Sequence, residues 1–223
     1  LRWYRRAAEQ GHPTAAFRVG QVYATGEGVD RDPEAARQWY RKAAEYGHSS
    51  AYTVLGRRYE AGVPADPAKT AAFYRRGAKA GLADAQYHLA DQFRHGRGLE
   101  ADPARAAEWY RRAADQGHAR AALRLAGMYE DGQGVERDLA KAARWYRRAA
   151  ERGNAPAQVS LARLYDRGKG VETDKVAAYR WYRVAASSQG VYRVSARQEA
   201  ERLKKVLSPQ AREKAEAWVA DWR

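Results

Sequence analysis

The chain has 223 residues and a formal net charge of +14, from 41 lysines and arginines against 27 acidic residues. It has no cysteine, which excludes disulfides, thiol nucleophiles and thiolate metal sites, and no apolar run approaches the roughly 20 residues of a membrane-spanning helix. The single Met, three Phe and fifteen Tyr, with abundant Ala and Arg, favour closely packed helices whose core is made of small residues and rings.

An aromatic doublet recurs along the sequence and divides it into repeats. Its spacings are 36, 34, 36, 36 and 36 residues, a series that chance does not produce. Around each doublet the sequence is close to A-x-x-W-Y-R-R-A-A-x-x-G, and a second phrase, L-[GA]-x-x-[YF], lies further along each period. The two phrases predict two helices per period. The doublets are Trp3-Tyr4, Trp39-Tyr40, Phe73-Tyr74, Trp109-Tyr110, Trp145-Tyr146 and Trp181-Tyr182.

The predicted elements begin with a lone helix at 1–10. Because Leu1 falls inside a repeat, without the helix start of the later copies, we expect the chain to be a fragment of a longer protein. The sequence then predicts five helical pairs and a divergent C-terminal capping pair, in which Ser208 is the N-cap of the last helix. The five pairs occupy 12–46, 48–80, 82–116, 118–152 and 154–188, and the cap occupies 189–223.

Helix boundaries are marked by a regular set of polar and glycine residues. The helix that carries the doublet begins at an Asp, whose side chain can accept hydrogen bonds from free backbone N–H groups. It ends at a glycine suited to a left-handed backbone. The Asp residues are Asp32, Asp66, Asp102, Asp138 and Asp174, and the glycines are Gly11, Gly47, Gly81, Gly117 and Gly153.

Small residues shape the other helix and the turn that follows it. Gly56 or Ala90, in the phrase L-[GA]-x-x-[YF], predicts a close approach of the partner helix. A Gly-x-Gly loop such as Gly96-Gly98 predicts an interhelical turn, since it lacks the third glycine, the strand and the acidic residue of a dinucleotide site. The second repeat has only Ala61-Gly62-Val63 there, which accounts for its spacing of 34.

The phrases A-x-x-x-L-G-x-x-Y, G-x-G-V, D-x-x-x-A and W-Y-R-x-A-A-x-x-G closely resemble the Sel-1-like repeat family, a relative of the tetratricopeptide repeats. The match covers residues 1 to 188. The resemblance implies an all-α fold, an α/α solenoid in which antiparallel helix pairs form a right-handed superhelix with the L-G-x-x-Y helices on the concave side. It also implies a non-enzymatic scaffold or adaptor for other proteins, and it favours assembly of a bacterial cell-envelope complex in the periplasm, with the cytoplasm as the alternative.

The family pattern predicts a concave groove that binds a partner peptide or helix. Its positions lie two residues before, two after and five after the Leu of the phrase, and they give mixed charge over an apolar floor. A groove that follows a nucleic-acid backbone would be more uniformly basic, so a nucleic-acid partner is disfavoured. The groove residues are Phe17, Gln21, Thr53, Arg57, Glu60, Tyr87, Asp91, Arg94, Leu123, Glu130, Val159, Arg163 and Asp166.

Candidate catalytic and metal-binding residues are sparse. His12, His48 and His118 recur at equivalent helix starts, so they lie in separate repeats, too far apart to converge on one ion at about 2.0 Å. Their positions favour a structural role near helix N-termini. No Ser, His and acid trio falls in one cleft. We therefore expect no enzymatic activity, no cofactor and no metal.

Paired basic residues follow each doublet and carry the alternative function. They are predicted on the outer helices, where a basic stripe could bind nucleic acid, polysaccharide or an anionic lipid surface. The simpler interpretation is a solvated face whose arginine stems cover the aromatic rings. The pairs are Arg5-Arg6, Arg41-Lys42, Arg75-Arg76, Arg111-Arg112 and Arg147-Arg148.

Overall fold

The computed structural model describes residues 1–61 and 66–222, in which every regular element is a helix. Gly62 and Val63, part of the shortened loop of the second repeat, lie outside the described residues. The helices are α1 Arg2–Glu9, α2 Pro13–Thr25, α3 Pro33–Glu45, α4 Ser49–Glu60, α5 Pro67–Lys79, α6 Ala83–His95, α7 Pro103–Asp115, α8 Ala119–Asp131, α9 Leu139–Glu151, α10 Ala155–Arg167, α11 Lys175–Ser187, α12 Tyr192–Lys204 and α13 Pro209–Asp221.

The residues divide into two compact units, 1–109 and 110–223. In the first unit α2 packs most extensively on α3, and α4 on α5, while α1, α3 and α5 also contact the helix that follows each of them. In the second unit α8 packs on α9 and α10 on α11, and both α12 and α13 pack on α11. Each unit therefore consists of helical hairpins that share their apolar flanks with the next hairpin.

The predicted caps are present at the doublet-bearing helices. Asp138, for example, accepts a hydrogen bond from the backbone N–H of Lys141 at 2.8 Å, and Asp32, Asp66, Asp102 and Asp174 cap their helices in the same way. Ser208 accepts from the N–H of Ala211 at 3.2 Å and starts α13 as predicted. The closing glycines all have a positive φ, between 78° and 94°, a region that favours glycine over other residues.

In every doublet but the first, the tyrosine lies in the core. Tyr74 and Tyr110 are fully buried, whereas Phe73 and Trp109 are half-buried. The small residue of the L-[GA]-x-x-[YF] helix makes room for this tyrosine. A Cβ atom added to Gly56 would lie 2.6 Å from Cδ1 of Tyr74, so the predicted close approach of α4 and α5 is confirmed.

The second glycine of two interhelical loops, one in each unit, touches the preceding repeat. A Cβ atom on Gly98 would overlap the backbone carbonyl of Pro67, the first residue of α5. In the second unit a Cβ atom on Gly170 would lie 2.6 Å from the Cβ of Leu139, the first residue of α9. These loops are interhelical turns, and glycine is required in them because backbone packs directly on backbone.

The C-terminal helix α13 covers α11 with a cluster of indoles. Trp181 of α11 meets Trp218 and Trp222 edge-on, with ring centroids 5.4 Å and 5.0 Å apart. Arg183 pairs with Glu216 at 2.8 Å on the same interface. This cover explains why Trp181 is buried, whereas Trp39 and Trp145, at the same position of earlier doublets, are only half-buried.

Candidate functional site

The predicted groove residues lie on α2, α4, α6, α8 and α10, the first helices of the repeats. Most of them are half-buried, and Arg57 and Glu60 are exposed. Thr53 corrects the prediction, because it is buried at 7 % exposure and cannot be reached by a partner. Its hydroxyl lies 3.5 Å from the position of a Cβ atom on Gly77, so this side of α4 faces α5.

In the first unit, charged groove positions are already bonded to neighbouring helices. Arg57 of α4 pairs with Asp84 of α6 at 2.9 Å, and its Nε donates to Nε2 of His88 at 3.4 Å. Glu60 accepts a hydrogen bond from the hydroxyl of Tyr74 at 2.8 Å. These contacts tie α4 to α5 and α6, so Arg57 and Glu60 also hold the repeats in place.

Aromatic contacts form the apolar part of the first unit's surface. The ring of Phe17 stacks on His48 with centroids 4.2 Å apart and contacts the ring of Tyr40 at 5.3 Å. Tyr87 meets His88 edge-on at 5.3 Å. Phe17 and Tyr87 are half-buried, so each also presents part of its ring to solvent.

The second unit repeats the pattern of bonded charges. Arg163 of α10 pairs with Glu130 of α8 at 2.9 Å, and Glu130 also accepts from the hydroxyl of Tyr146 at 2.6 Å. Asp166 of α10 pairs with Lys175 at 2.6 Å and with Arg202 of α12. Opposite charges therefore link successive first helices in both units.

The tyrosines and Asp166 have shifted pKa values with separate causes. Burial, followed by the hydrogen bond to Glu60, raises the pKa of Tyr74 far above its usual range, and burial with Glu130 does the same for Tyr146. Both hydroxyls therefore stay protonated and act as donors. Burial would raise the pKa of Asp166, but hydrogen bonds from Lys175 and Arg202 lower it overall, so this carboxylate is charged.

A cavity of about 360 Å³ lies where the predicted residues of α10 meet α12. Val159, Arg163 and Asp166 line it, as part of the predicted groove. It is completed by five residues that the sequence analysis did not select, namely Arg167, Tyr182, Ser195, Glu199 and Arg202.

The sequence did contain a signal for the missed residues of α12. Ser195, Glu199 and Arg202 stand one 36-residue period after Val159, Arg163 and Asp166. The period continues into α12 although the L-[GA]-x-x-[YF] phrase has disappeared there. The 36-residue interval, applied to the groove positions without requiring the phrase, predicts these residues of α12.

The basic pairs of the doublet-bearing helices are all exposed. Several of them lie against their own aromatic rows: the Nζ of Lys42 is 4.5 Å from the ring of Trp39, and the guanidinium of Arg148 is 4.6 Å from the ring of Trp145. Arg148 also pairs with Asp115 at 2.8 Å. In these contacts the charged groups themselves lie over the rings as cation–π pairs, while the binding of a polyanion stays a prediction.

The histidines at helix starts have structural contacts. Nδ1 of His118 accepts from the N–H of Ala121 at 3.1 Å, and His12 accepts from Ala15 at 3.4 Å. Within residues 1–61 and 66–222, no three His, Asp or Glu side chains are grouped as metal ligands. Among the described helices, none combines the length and the apolar character that a membrane span requires.

Comparisons with solved structures show the same fold in bacterial proteins. A Sel1 repeat protein from Oxalobacter formigenes is 34 % identical, with a TM-score of 0.77, over 82 % of this chain and 76 % of that one. A protective antigen of uropathogenic Escherichia coli that displays an SLR fold is 28 % identical, with a TM-score of 0.60, over 99 % of this chain and 55 % of that one. This chain therefore spans about half of the antigen. No curated protein matches the chain.

A family model described as the Sel1 repeat matches six successive segments, at 1–12, 13–48, 49–82, 83–118, 119–154 and 155–189. These segments contain α1 to α11, and the matches leave only α12 and α13 outside the family pattern. The sequence resemblance and the all-α repeat fold are thereby confirmed. The chain belongs to the Sel1 repeat family, a non-enzymatic family of helical repeats that generally act as protein-interaction scaffolds.

Proposed function

We propose that the chain is an adaptor that binds a partner peptide or helix on its first helices, with the main anchor at the cavity between α10 and α12. The cavity is the observation that carries the proposal. It places Val159 and the ring of Tyr182 beside arginines and carboxylates. An apolar side chain of the partner would fill it, and the charged rim would orient the partner's polar groups.

The bonded charges favour selectivity over raw affinity. The side chains of Arg57 and Asp84 are more than half exposed, and an exposed pair of this kind contributes about 0.2 to 1 kcal/mol. A partner can exchange or extend such pairs at little cost. A partner that places an acidic group against Asp84 or Glu130, or a basic group against Arg57 or Arg163, brings like charges together. Such repulsion costs several kcal/mol, which is more than one of these pairs contributes.

The remaining accessible groove residues would extend the contact within each unit. Half-buried rings and aliphatic side chains supply apolar area, and the polar side chains between them supply hydrogen bonds. Thr53 is left out because it is buried. The proposed contact residues are Phe17, Gln21, Arg57, Glu60, Tyr87, Asp91 and Arg94 in the first unit, and Leu123, Glu130, Val159, Arg163 and Asp166 in the second.

A cavity-filling substitution tests the anchor. Val159→Arg places a long cation in the cavity, and we expect it to reduce recovery of partner proteins in quantitative pull-downs from the source organism. Val206→Arg makes the same chemical change at a valine that is 68 % exposed and does not line the cavity, so it should leave recovery unchanged. Melting curves check that both variants fold. Equal recovery with both folded variants would contradict the proposal.

We further propose that the partner belongs to a bacterial cell-envelope complex. The support is the similarity to a protective antigen of uropathogenic Escherichia coli, because a protective antigen is one that a host's immune system meets. Cell fractionation of the source organism, followed by immunodetection of the native protein, tests this. Recovery with the periplasm or envelope is the expected result, and recovery with cytoplasmic markers alone would contradict it.

A second candidate is polyanion binding by the basic pairs of the doublet-bearing helices, supported by the exposure of all ten side chains. Such binding would weaken steeply with salt because it releases counterions. Titration with heparin and duplex DNA at low salt tests it, and no binding there would reject it.

A further inference from the structure

The end of the second unit carries a basic cavity that the partner-binding surface does not use. It measures about 280 Å³ and lies between α11 and α12. Three arginines line it, Arg183, Arg193 and Arg197, with Ser187 and a single carboxylate, Glu201. The cavity is therefore basic on balance and suited to an anionic group.

Two of these arginines are available to a ligand. Arg183 is held by Glu216 at 2.8 Å. Arg193 and Arg197 are exposed, and within 1–61 and 66–222 neither side chain forms a hydrogen bond or an ion pair. The cavity's carboxylate, Glu201, lies 3.9 Å from Lys204. Within the described residues, the guanidinium groups of Arg193 and Arg197 therefore line one cavity without an ion-pair partner.

The repeat period shows that this face of α12 departs from the family pattern. Arg193 and Arg197 stand one 36-residue period after Ala157 and Leu161, both of which are fully buried. On α12 these two positions are exposed, which accounts for the arginines there. It does not account for the apolar residues beside them.

Exposed aliphatic side chains flank the arginines. Val191 is 85 % exposed and Val194 is 65 % exposed, and Tyr192 between them is also exposed. None of these three side chains lines the cavity, and all three are open to solvent. The order Val191-Tyr192-Arg193-Val194 places apolar and basic groups side by side at one end of α12.

We propose that this end of α12 docks on an anionic phospholipid surface. Val191 and Val194 enter the interface, Tyr192 lies at headgroup depth, and Arg193 and Arg197 bind lipid phosphates at the cavity mouth. A fluid bilayer accepts projecting side chains without a preformed socket, whereas an acidic peptide would have to supply one. The net charge of +14 adds long-range attraction to the same surface.

Flotation with lipid vesicles tests the proposal on the intact chain. We expect the protein to float with vesicles of phosphatidylcholine mixed with phosphatidylglycerol, and not with phosphatidylcholine alone. Arg193→Gln with Arg197→Gln should lower partitioning about 30-fold, because each basic residue near an anionic surface contributes about five-fold. Val191→Ser with Val194→Ser should lower it on the order of ten-fold through lost apolar insertion.

The matched control removes the same charge elsewhere. Arg31→Gln with Arg97→Gln changes two exposed arginines that lie between helices and outside the basic pairs, and it should keep the partitioning of the unmodified protein. An equal loss in this control would overturn the proposal in favour of diffuse charge attraction. The proposal would also be overturned, in favour of an acidic peptide, by a different pair of results. In that case the unmodified protein does not float with vesicles, but it binds polyglutamate and the Arg193→Gln, Arg197→Gln double variant does not. Inorganic phosphate should also be added to the flotation of the unmodified protein. A loss of flotation as large as that of the Arg193→Gln, Arg197→Gln double variant would support phosphate recognition at the cavity.

These outcomes are independent of the adaptor function. The residues changed here do not line the cavity between α10 and α12, and Val159→Arg does not change the basic cavity. A failure of lipid binding would leave the pull-down result as it stands, and the reverse also holds.

Discussion

Gly56 sets the distance between two helices by having no side chain. The same position is occupied by Gly20, Ala90, Ala126 and Ala162 in the other repeats. Those alanines are fully buried, so a methyl group fits there. At Gly56 the ring of Tyr74 lies where that methyl group would be, and α4 and α5 are therefore packed more closely than alanine allows.

Gly56→Ala should therefore lower the free energy of unfolding by roughly 1 to 3 kcal/mol, because the new Cβ forces the ring of Tyr74 to shift. Gly127→Ala is the matched control, since its Cβ would meet nothing closer than the Tyr146 hydroxyl at 3.9 Å. That change should stabilise the chain by about 0.5 to 1 kcal/mol through helix propensity. Urea denaturation measures both. A Gly56→Ala variant as stable as the original would contradict the close contact.

At the scale of the helix, residues near in sequence determine most of what could be predicted. An Asp cap and a closing glycine act within a few residues of a helix end, so their positions followed from the repeat alone. Arg57 is different, since its partners Asp84 and His88 are 27 and 31 residues away. Those contacts depend on how α6 lies against α4. The burial of Thr53 toward α5 depends on packing in the same way.

The link between α4 and α6 should respond to acid through His88. Burial, followed by the charge of Arg57, lowers the pKa of His88, so its neutral form belongs to the folded state. Its stabilising contribution is complete above the unfolded pKa of about 6.5 and is lost as the pH falls through the lower folded value. We therefore expect stability to decrease as the pH falls below about 6.5.

Two substitutions assign that decrease to His88. His88→Gln removes the titrating ring but keeps an acceptor for Arg57, so it should flatten the fall in stability with acid. Burial also lowers the pKa of His48, so a smaller dependence will remain. His95→Gln removes an exposed imidazole from the same helix and serves as the matched control. The midpoint of urea unfolding, measured at a series of pH values around and below 6.5, gives the result. If the His88→Gln variant shows the same dependence of stability on pH as the unmodified protein, His88 is not the cause of the decrease.

At the scale of the whole molecule, the repeat pattern is uniform until its last two helices. The family model ends at residue 189, and α12 and α13 both pack on α11. The sequence predicted this terminal pair and its Ser208 cap from local signals. It did not reveal the indole cluster, because Trp181 and Trp218 come together only when α13 lies across α11.

Trp218→Ala should lower the free energy of unfolding by about 2 to 3 kcal/mol, since it uncovers Trp181 and leaves a void beside Trp222. Trp3→Ala deletes the same group at a site that is 76 % exposed and should change stability by less than about 0.5 kcal/mol. Thermal unfolding followed by circular dichroism compares the two. Equal shifts in melting temperature would show that α13 does not protect α11.

The backbone contacts of Gly98 and Gly170 bear on how such a chain can change in evolution. Each glycine rests on the first residue of a helix in the preceding repeat, so the same contact recurs at the same interval in both units. Duplication or deletion of a whole interval by recombination recreates every contact of this type. A point substitution at either glycine does not, because any side chain would collide with backbone. Gain and loss of entire repeats is therefore an easier path to a new binding surface than alteration of these turns.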